Sequence, residues 1–454
     1  TWDFYTYFTF GSIVLAYAVW RYGNTDGLRI QVPVWVKQLF LTAGALAVLT
    51  ALSLLLYQPF SQWFGQAYNS IGAWTGPRTP LSVYLTQWGV FLFFIVSWMV
   101  WETRQWLAET PVSALRKLRP YRDLIIAGVV IVVLALIAQQ AWVMSSTQNV
   151  PWKGITILWL ALPLALWAAT LLFRPGMPDL KRLVLFMIGT GLLLTMAVEL
   201  IVVSGDIGRF NTVFKFGVQS WILLGLSAAA AFGWMLTEFR KWLPGWRMGW
   251  QIVATLMVAG SALVLLIAGA DKINDRMNTS APHTLDSMTY MDYTQYSDYG
   301  VDMNLSEDYR AIVWMQDNVQ GSPVIVEAAS SGVQYQWHSR FSIYTGLPDV
   351  VGWEWHEEQQ RVLFTSDVQN RGRLEVDGFY TTTDPQAARA FLHKYNVRYI
   401  IVGQLERAKY APGASLGPVP AGGPDGLLKF DTYNGTYWHE VYRDGKTVIY
   451  EVNP

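Results

Sequence analysis

The chain has 454 residues, of which 52% are apolar and only 15% charged, with a mean hydropathy of +0.23. A wholly soluble multidomain protein is excluded by that balance. Lys plus Arg and Asp plus Glu both number 33, so overall charge points to no nucleic-acid partner. No cysteine is present, which removes disulfides, thiolate metal sites and thiol nucleophiles. Tryptophan occurs 23 times, an excess expected of indole rings gathering at membrane–water interfaces.

In chain order, eight apolar stretches approach the length of about 20 residues that crosses a hydrocarbon core. They lie at roughly 4–20, 38–58, 84–101, 124–144, 154–173, 183–203, 213–237 and 249–270. Lys and Arg in the connecting loops provide a separate test. Loops one, three, five and seven carry Arg21, Arg29, Lys37, Arg104, Arg116, Lys117, Arg119, Arg122, Arg174, Lys181, Arg182, Arg240, Lys241 and Arg247. Loops two, four and six carry Arg78, Lys153, Arg209 and Lys215. This alternation, 14 against 4, makes the odd loops cytoplasmic. Both ends of the chain are then outside, in a multi-pass protein of the cell membrane.

Residues 271–305 form a polar linker rich in Asp and Tyr, and residues 306–454 pattern as an extracytoplasmic α/β domain. Leu305 to about Asn318 reads as a helix, and Val324-Ile325-Val326 as a buried strand. Asp384-Pro385 supplies an N-cap and a proline in the first turn for a helix to about Tyr395, followed by a strand over Val397 to Val402. Tyr437 to Arg443 and Lys446 to Val452 form a hairpin about Asp444-Gly445, expected as a type I′ turn. The fold class is a polytopic α-helical membrane protein: eight transmembrane helices over 1–270, then the α/β domain.

Polar side chains cluster where the sixth span meets the next outer loop. Glu199 ends the span, and the loop from Ser204 contains Asp206, Arg209, Asn211 and Lys215. Ionisable groups at membrane depth are costly, which makes them functional candidates. Arg209 as a bidentate fork and Lys215 as a point charge suit a phosphate. Asp206 and Glu199 suit a base, a metal ligand or an ion partner; equally, either carboxylate could pair with Arg209 or Lys215 to brace a helix junction. Arg78, in the rigid turn Thr75 to Leu81, is a further phosphate candidate or a headgroup anchor.

In the outer domain, Tyr344 precedes Gly352-Trp353-Glu354-Trp355-His356-Glu357. A zincin needs histidine at position 360, which is Gln, so that reading fails. The remaining aromatic and hydrogen-bonding set suits a sugar, or else an acidic helix start. The other four histidines show no ligand spacing. No cofactor is expected, with a divalent metal left open. Asn278-Thr279-Ser280, Asn304-Leu305-Ser306 and Asn434-Gly435-Thr436 are glycosylation-type tripeptides.

Asn211-Thr212-Val213-Phe214-Lys215-Phe216 with Gln219 and Trp221, Arg78-Thr79-Pro80-Leu81, Thr1-Trp2-Asp3, and Tyr344 to Pro348 with Gly352-Trp353 and His356-Glu357 resemble the YYY integral-membrane family. Val402-Gly403, Leu405-Glu406-Arg407, Tyr410 and Leu428-Lys429-Phe430 continue the resemblance across nearly the whole chain. The family is similar in architecture to membrane glycosyltransferases of the GT-C type, which use polyprenyl-phosphate-linked sugars at an outer-face site. The resemblance implies that Arg209 and Lys215 face the lipid phosphate, with Tyr344, Trp353 and His356 lining the substrate side. It further implies that Thr1-Trp2-Asp3 matches an internal segment, so that a missing N-terminal half or a partner chain supplies the usual acid; no D-x-D triplet occurs. The expected function is a GT-C-like glycosyltransferase or half-enzyme in contact with membrane lipids. The alternative is a non-catalytic accessory subunit of a membrane complex, and transport is a weaker third reading.

Overall fold

The computed structural model describes residues 2–27, 31–65, 70–145, 155–204, 206, 208–278, 280–330 and 335–453. Arg29 and Lys153 of the loop-charge pattern, the first residue of the fifth apolar stretch, Thr1 of the Thr1-Trp2-Asp3 motif, Gly205 and Ile207 of the polar loop and Thr279 lie outside them. The chain divides into two units. One comprises Thr1–Gln58 and Tyr68–Leu265, the other Pro59–Ala67 and Leu266–Pro454.

Helices occupy all eight apolar stretches: α1 (Trp2–Tyr22), α2 (Val34–Leu56), α4 (Leu81–Glu109), α5 (Arg122–Ser145), α6 (Leu158–Leu172), α7 (Asp179–Leu200), α8 (Phe210–Glu238) and α9 (Pro244–Arg276). A short α3 (Gln58–Trp63) follows α2. Six of these helices are long and apolar enough to cross a membrane, namely α2, α4, α5, α7, α8 and α9. The expectation of eight spans is therefore met as helices but not as spans. The 15-residue α6 falls short in length, and the 21-residue α1 is not among the six. The protein is a membrane protein with several apolar helices.

The core of the first unit gathers on α4, α6, α7 and α8, where Trp98, Met99, Ala161, Ala168, Ile188, Leu192, Leu224 and Ala231 are fully buried. Between helices in lipid, close van der Waals approach does the work that water exclusion does in soluble cores. Small residues permit it: a Cβ on Gly191 would stand 2.8 Å from Leu224 Cγ. Before α4, β1 (Ile71–Ala73) pairs antiparallel with β2 (Ile201–Val203), which directly follows α7. That ladder ties two loops together at one end of the bundle.

In the second unit, part of the expected linker is ordered: β3 (Gln295–Asp298) and β4 (Val301–Asn304) make a hairpin running directly into α10 (Leu305–Asn318). Asn304 caps α10 by accepting from Ser306 N at 3.1 Å. Then come β5 (Val324–Val326), α11 (Arg340–Thr345), α12 (Glu354–Gln360), α13 (Thr365–Gln369), a π-helical turn over Asn370–Val376, α14 (Asp377–Thr381) and α15 (Pro385–Tyr395). Last are β6 (Val397–Val402), α16 (Gln404–Tyr410), α17 (Leu428–Thr432), β7 (Trp438–Asp444) and β8 (Thr447–Val452). The sheet order is β5-β6-β8-β7, with β5 and β6 parallel and the other pairs antiparallel.

Strand alternation sends side chains to two faces. Ile325, Ile401 and Ile449 pack with Ala311, Ile312 and Met315 of α10, while Val326, Ile400, Val402, Val448 and Tyr450 pack with Phe379, Phe391, Tyr410 and Phe430 on the other face. Each fully buried aliphatic side chain contributes about 1.5–3 kcal/mol, enough for this α/β/α layering to hold a core of its own. The final hairpin differs in one respect from its expected turn. Asp444 pairs with Thr447, so the loop is Gly445-Lys446, and Gly445 alone has positive φ, at 54°. That is the type II′ pattern rather than type I′.

Candidate functional site

The polar cluster of the first unit is assembled where β1 and β2 join its loops. Trp74 N donates to Leu200 O at 2.8 Å, and the Trp74 indole N–H donates to Pro77 O at 3.0 Å. The ring lies so closely over the turn that a Cβ on Gly76 would meet it at 2.2 Å. Pro77 and Pro80 stiffen the turn, which fixes Thr79 opposite the end of α7.

Glu199 is buried there. Thr79 donates to it twice, from its backbone N to Oε2 at 2.9 Å and from its hydroxyl to Oε1 at 2.6 Å. Arg209 Nη1 donates to Glu199 Oε1 at 2.8 Å and to Val198 O at 2.7 Å, and its Nη2 donates to Thr79 Oγ1 at 3.0 Å. The Arg209 guanidinium also lies 5.3 Å from the centre of the Trp74 ring. Of the two arrangements open in the sequence, the pairing of Glu199 with Arg209 is present.

Arg78 is 6% exposed. Its Nη2 donates to Trp74 O at 3.0 Å, and its guanidinium lies 5.0 Å from the Trp142 ring centre. Its buried Nη1 has no hydrogen-bond partner among the described residues. Burial lowers its pKa, the Glu199 charge opposes this, and the nearby positive charge of Arg209 adds to it. The Glu199 carboxylate is thus bonded to one guanidinium, that of Arg209, and within electrostatic reach of a second, that of Arg78, whose Nη1 has no partner among the described residues.

Asp206 has another task. Oδ1 accepts from Asn211 N and Nδ2, both at 3.1 Å, and Oδ2 accepts from Thr212 N at 2.8 Å and Oγ1 at 2.7 Å. It closes the first turn of α8, where backbone N–H groups lack partners. Burial raises its pKa, but the four donors outweigh this and hold it below the ordinary carboxylate value. Asn211 is therefore committed to Asp206. Lys215 is half-buried one turn further along α8, four residues before Gln219. Gln219 Nε2 donates to Asp3 Oδ1 at 2.7 Å, a contact 216 residues apart.

Beside Glu199 is a cavity of about 480 Å³, to which Thr79 and Glu199 contribute along with Val83, Leu194, Val198, Phe214 and Trp221. Val83, Phe214 and Trp221 are exposed, so the cavity opens laterally among apolar side chains of α4 and α8. A polar end joined to an apolar, sideways-opening space fits an amphipathic ligand.

The residues of the second unit expected to share a sugar site have different immediate partners. The Tyr344 hydroxyl meets the Tyr290 hydroxyl at 2.9 Å, and its carbonyl accepts from Gln316 Nε2 at 2.8 Å, which places it in the α10–α11 packing. Trp353 instead stands edge-on to Tyr335, ring centres 5.4 Å apart, and donates to His338 O at 2.8 Å. His356 flanks the same Tyr335 at 6.3 Å. Glu357 pairs with Arg361 along α12, at 3.1 Å.

The densest buried charge in this unit was not legible in the sequence. Arg340 is fully buried, with Nε 2.6 Å from Asp308 Oδ2, Nη1 3.3 Å from Glu327 Oε2 and Nη2 2.9 Å from Glu406 Oε2. Burial raises the Glu327 pKa above its ordinary value, helped by the Asp349 carboxylate and opposed by the Arg340 charge. His338, also buried, meets the Tyr299 hydroxyl at 3.1 Å, and burial pushes its pKa down to about 3. Among the described residues no group of three or more His, Asp or Glu is arranged to hold a metal ion.

Residues 1–224 match the family of uncharacterized membrane proteins DUF2298. No curated protein matches the chain. Among solved structures, the chain is similar to the C-terminal globular domain of an oligosaccharyltransferase, AfAglB-S2 from Archaeoglobus fulgidus, at 15% identity and a TM-score of 0.23. That likeness covers 33% of this chain and 100% of the other.

Proposed function

We propose that this protein is a GT-C-like membrane glycosyltransferase, or half of one, that takes a sugar from a polyprenyl-phosphate carrier at the outer membrane face, and that its kinship lies with the YYY proteins. The observation that carries this reading is the pair Arg78 and Arg209 near the carboxylate of Glu199, with Arg78 Nη1 lacking a partner among the described residues, beside a lateral apolar cavity. Phosphate oxygens satisfy the unused N–H and the residual charge, and the polyprenyl chain takes the cavity.

On this reading Arg209 and Arg78 bind the phosphate and Lys215 adds to the local positive field. Glu199 and Asp206 are the carboxylates of the site. Glu199 holds the Arg209 fork in place and Asp206 fixes the start of α8, so both act through other groups; on this reading a partner chain supplies the base for the acceptor. In the second unit, Trp353 and His356 beside Tyr335 offer ring faces and hydrogen bonds to a sugar, with Tyr344 and Glu357 as further substrate-side candidates; in the first unit Asn211 acts on the substrate side only through its hold on Asp206. A non-catalytic accessory subunit is the second reading, favoured by α2, which buries no residue over its 23 positions. Stoichiometric partners on gentle extraction, without phosphate-dependent lipid binding, support that alternative.

The test is titration of the nanodisc-reconstituted chain with polyprenyl phosphate and with the matching polyprenol. The phosphate form is expected to bind more tightly. Arg78→Gln and Arg209→Gln should each weaken it roughly ten- to a hundred-fold, the worth of one charge-assisted hydrogen bond. Equal binding of the two lipids, or full affinity in both variants, overturns the proposal.

A further inference from the structure

Three tripeptides of the second unit have the form Asn-x-Ser/Thr, and their surroundings are unlike one another. Asn278 lies two residues beyond the end of α9, and its Nδ2 donates to Tyr293 O. In the second, the Asn304 amide oxygen caps α10 and Leu305 and Ser306 are buried in its first turn, so the tripeptide is held in a helix start and not in an open turn. Asn434, Gly435 and Thr436 are all exposed, on the turn between α17 and β7.

The Asn434 side chain has a fixed orientation. Glu440 N donates to Asn434 Oδ1 at 3.0 Å, and because a backbone N–H can only donate, the oxygen must occupy that side of the amide. Nδ2 is then on the opposite side and makes no hydrogen bond among the described residues. Gly435 has φ of 84°, a left-handed conformation that turns the chain sharply between Asn434 and Thr436. Gly435 N donates to Trp438 O at 2.7 Å, and Asn453 Nδ2 donates to Thr436 O at 3.0 Å, which hold the turn out at the surface.

We infer that Asn434 is an N-glycosylation acceptor, and that the tripeptides at Asn278 and Asn304 are not. The second unit meets the transferase on the outer side, where the loop charges place it. The co-substrate is a sugar carried on a lipid phosphate. Asn434 Nδ2 bonds to the anomeric carbon, the bond from that carbon to the phosphate oxygen breaks, and the lipid phosphate leaves with the electron pair. The amide loses one proton to the transferase. A bulky glycan is tolerated because the turn is open to solvent.

The experiment is peptide mass mapping of the full-length chain, purified both from its native membranes and from a eukaryotic host whose secretory membranes carry the transferase. The expected result is a hexose- or hexosamine-containing mass increment on the Asn434 peptide in at least one preparation, lost in Asn434→Gln and Thr436→Ala and retained in Thr436→Ser. Unmodified Asn434 in both preparations, an increment at Asn278 or Asn304 instead, or an increment that survives Thr436→Ala overturns the inference.

Discussion

Replacing Glu199 by Gln removes one charge and almost no volume, which isolates the electrostatics of the cluster at the end of α7. The carboxylate accepts from Thr79 N at 2.9 Å, Thr79 Oγ1 at 2.6 Å and Arg209 Nη1 at 2.8 Å. A carboxamide has one accepting atom and one donating group. With its NH₂ toward Arg209 it faces a guanidinium donor, and with its NH₂ reversed it faces the Thr79 backbone donor. Either way a donor opposes a donor, and Arg209 and Arg78 lose the counter-charge of Glu199. Breaking a buried pair in this manner costs about 3–5 kcal/mol. Scaled by about 2–4 °C per kcal/mol for a unit of this size, the first unit should melt roughly 6 to 20 °C lower. The assay is thermal unfolding in detergent by tryptophan fluorescence, with hydrogen exchange over residues 194–214 to localise the loss. Glu199→Gln combined with Arg209→Gln should cost less than the sum of the single variants. A single-variant loss within about 1 kcal/mol of zero, or strict additivity, refutes the coupling.

In the second unit, Arg340→Met strands Asp308 and Glu406 and should destabilise by about 3–5 kcal/mol in hydrogen exchange of the β5–β6 peptides, whereas Arg310→Ala, which breaks a half-exposed pair with Asp444, should stay within about 1 kcal/mol. Asp206→Ala should cost about 0.5–2 kcal/mol and raise exchange at Asn211 and Thr212. Since Asp206 titrates below its ordinary value of 3.8, its contribution is full above that pH and is lost as the pH falls through its lower folded value. Lys429 is buried, donates to Tyr380 O and Gly426 O, and has its pKa brought down to about 7 by burial. The unfolded chain binds that proton up to about 10.5 and the folded chain only to about 7, so stability should rise with pH between these values; Lys429→Met should flatten the rise in exchange over residues 427–438.

Much of the fold could be read in the chain because its signals are local. Apolar runs marked all eight helices of the first unit, Asp384-Pro385 marked α15, and Gly445 marked the final hairpin even though the turn was displaced by one residue. Span number was less legible, since the 15-residue α6 is apolar but short. At the site, Glu199 and Arg209 were visible as ionisable groups at membrane depth, but Thr79 was not. Its link to Glu199 crosses 120 residues and uses a backbone N–H that every sequence position carries. Arg340 was invisible for the same reason: its partners lie 13 to 66 residues away, with no shared periodicity. The expected grouping of Tyr344 with Trp353 and His356 came from the family resemblance, which carries no packing partners: Tyr344, near the end of α11, meets Tyr290, and Trp353 packs on Tyr335.

The most direct measurement is photocrosslinking of a diazirine-bearing polyprenyl phosphate to the reconstituted chain, read by mass spectrometry. The lipid chain should label Val83, Phe214 and Trp221 along the lateral cavity, and Arg78→Gln with Arg209→Gln should abolish that labelling while leaving diffuse lipid contacts elsewhere. Labelling spread evenly over α2, α5 and α9, or cavity labelling that persists without both arginines, would contradict an outer-face lipid-phosphate site.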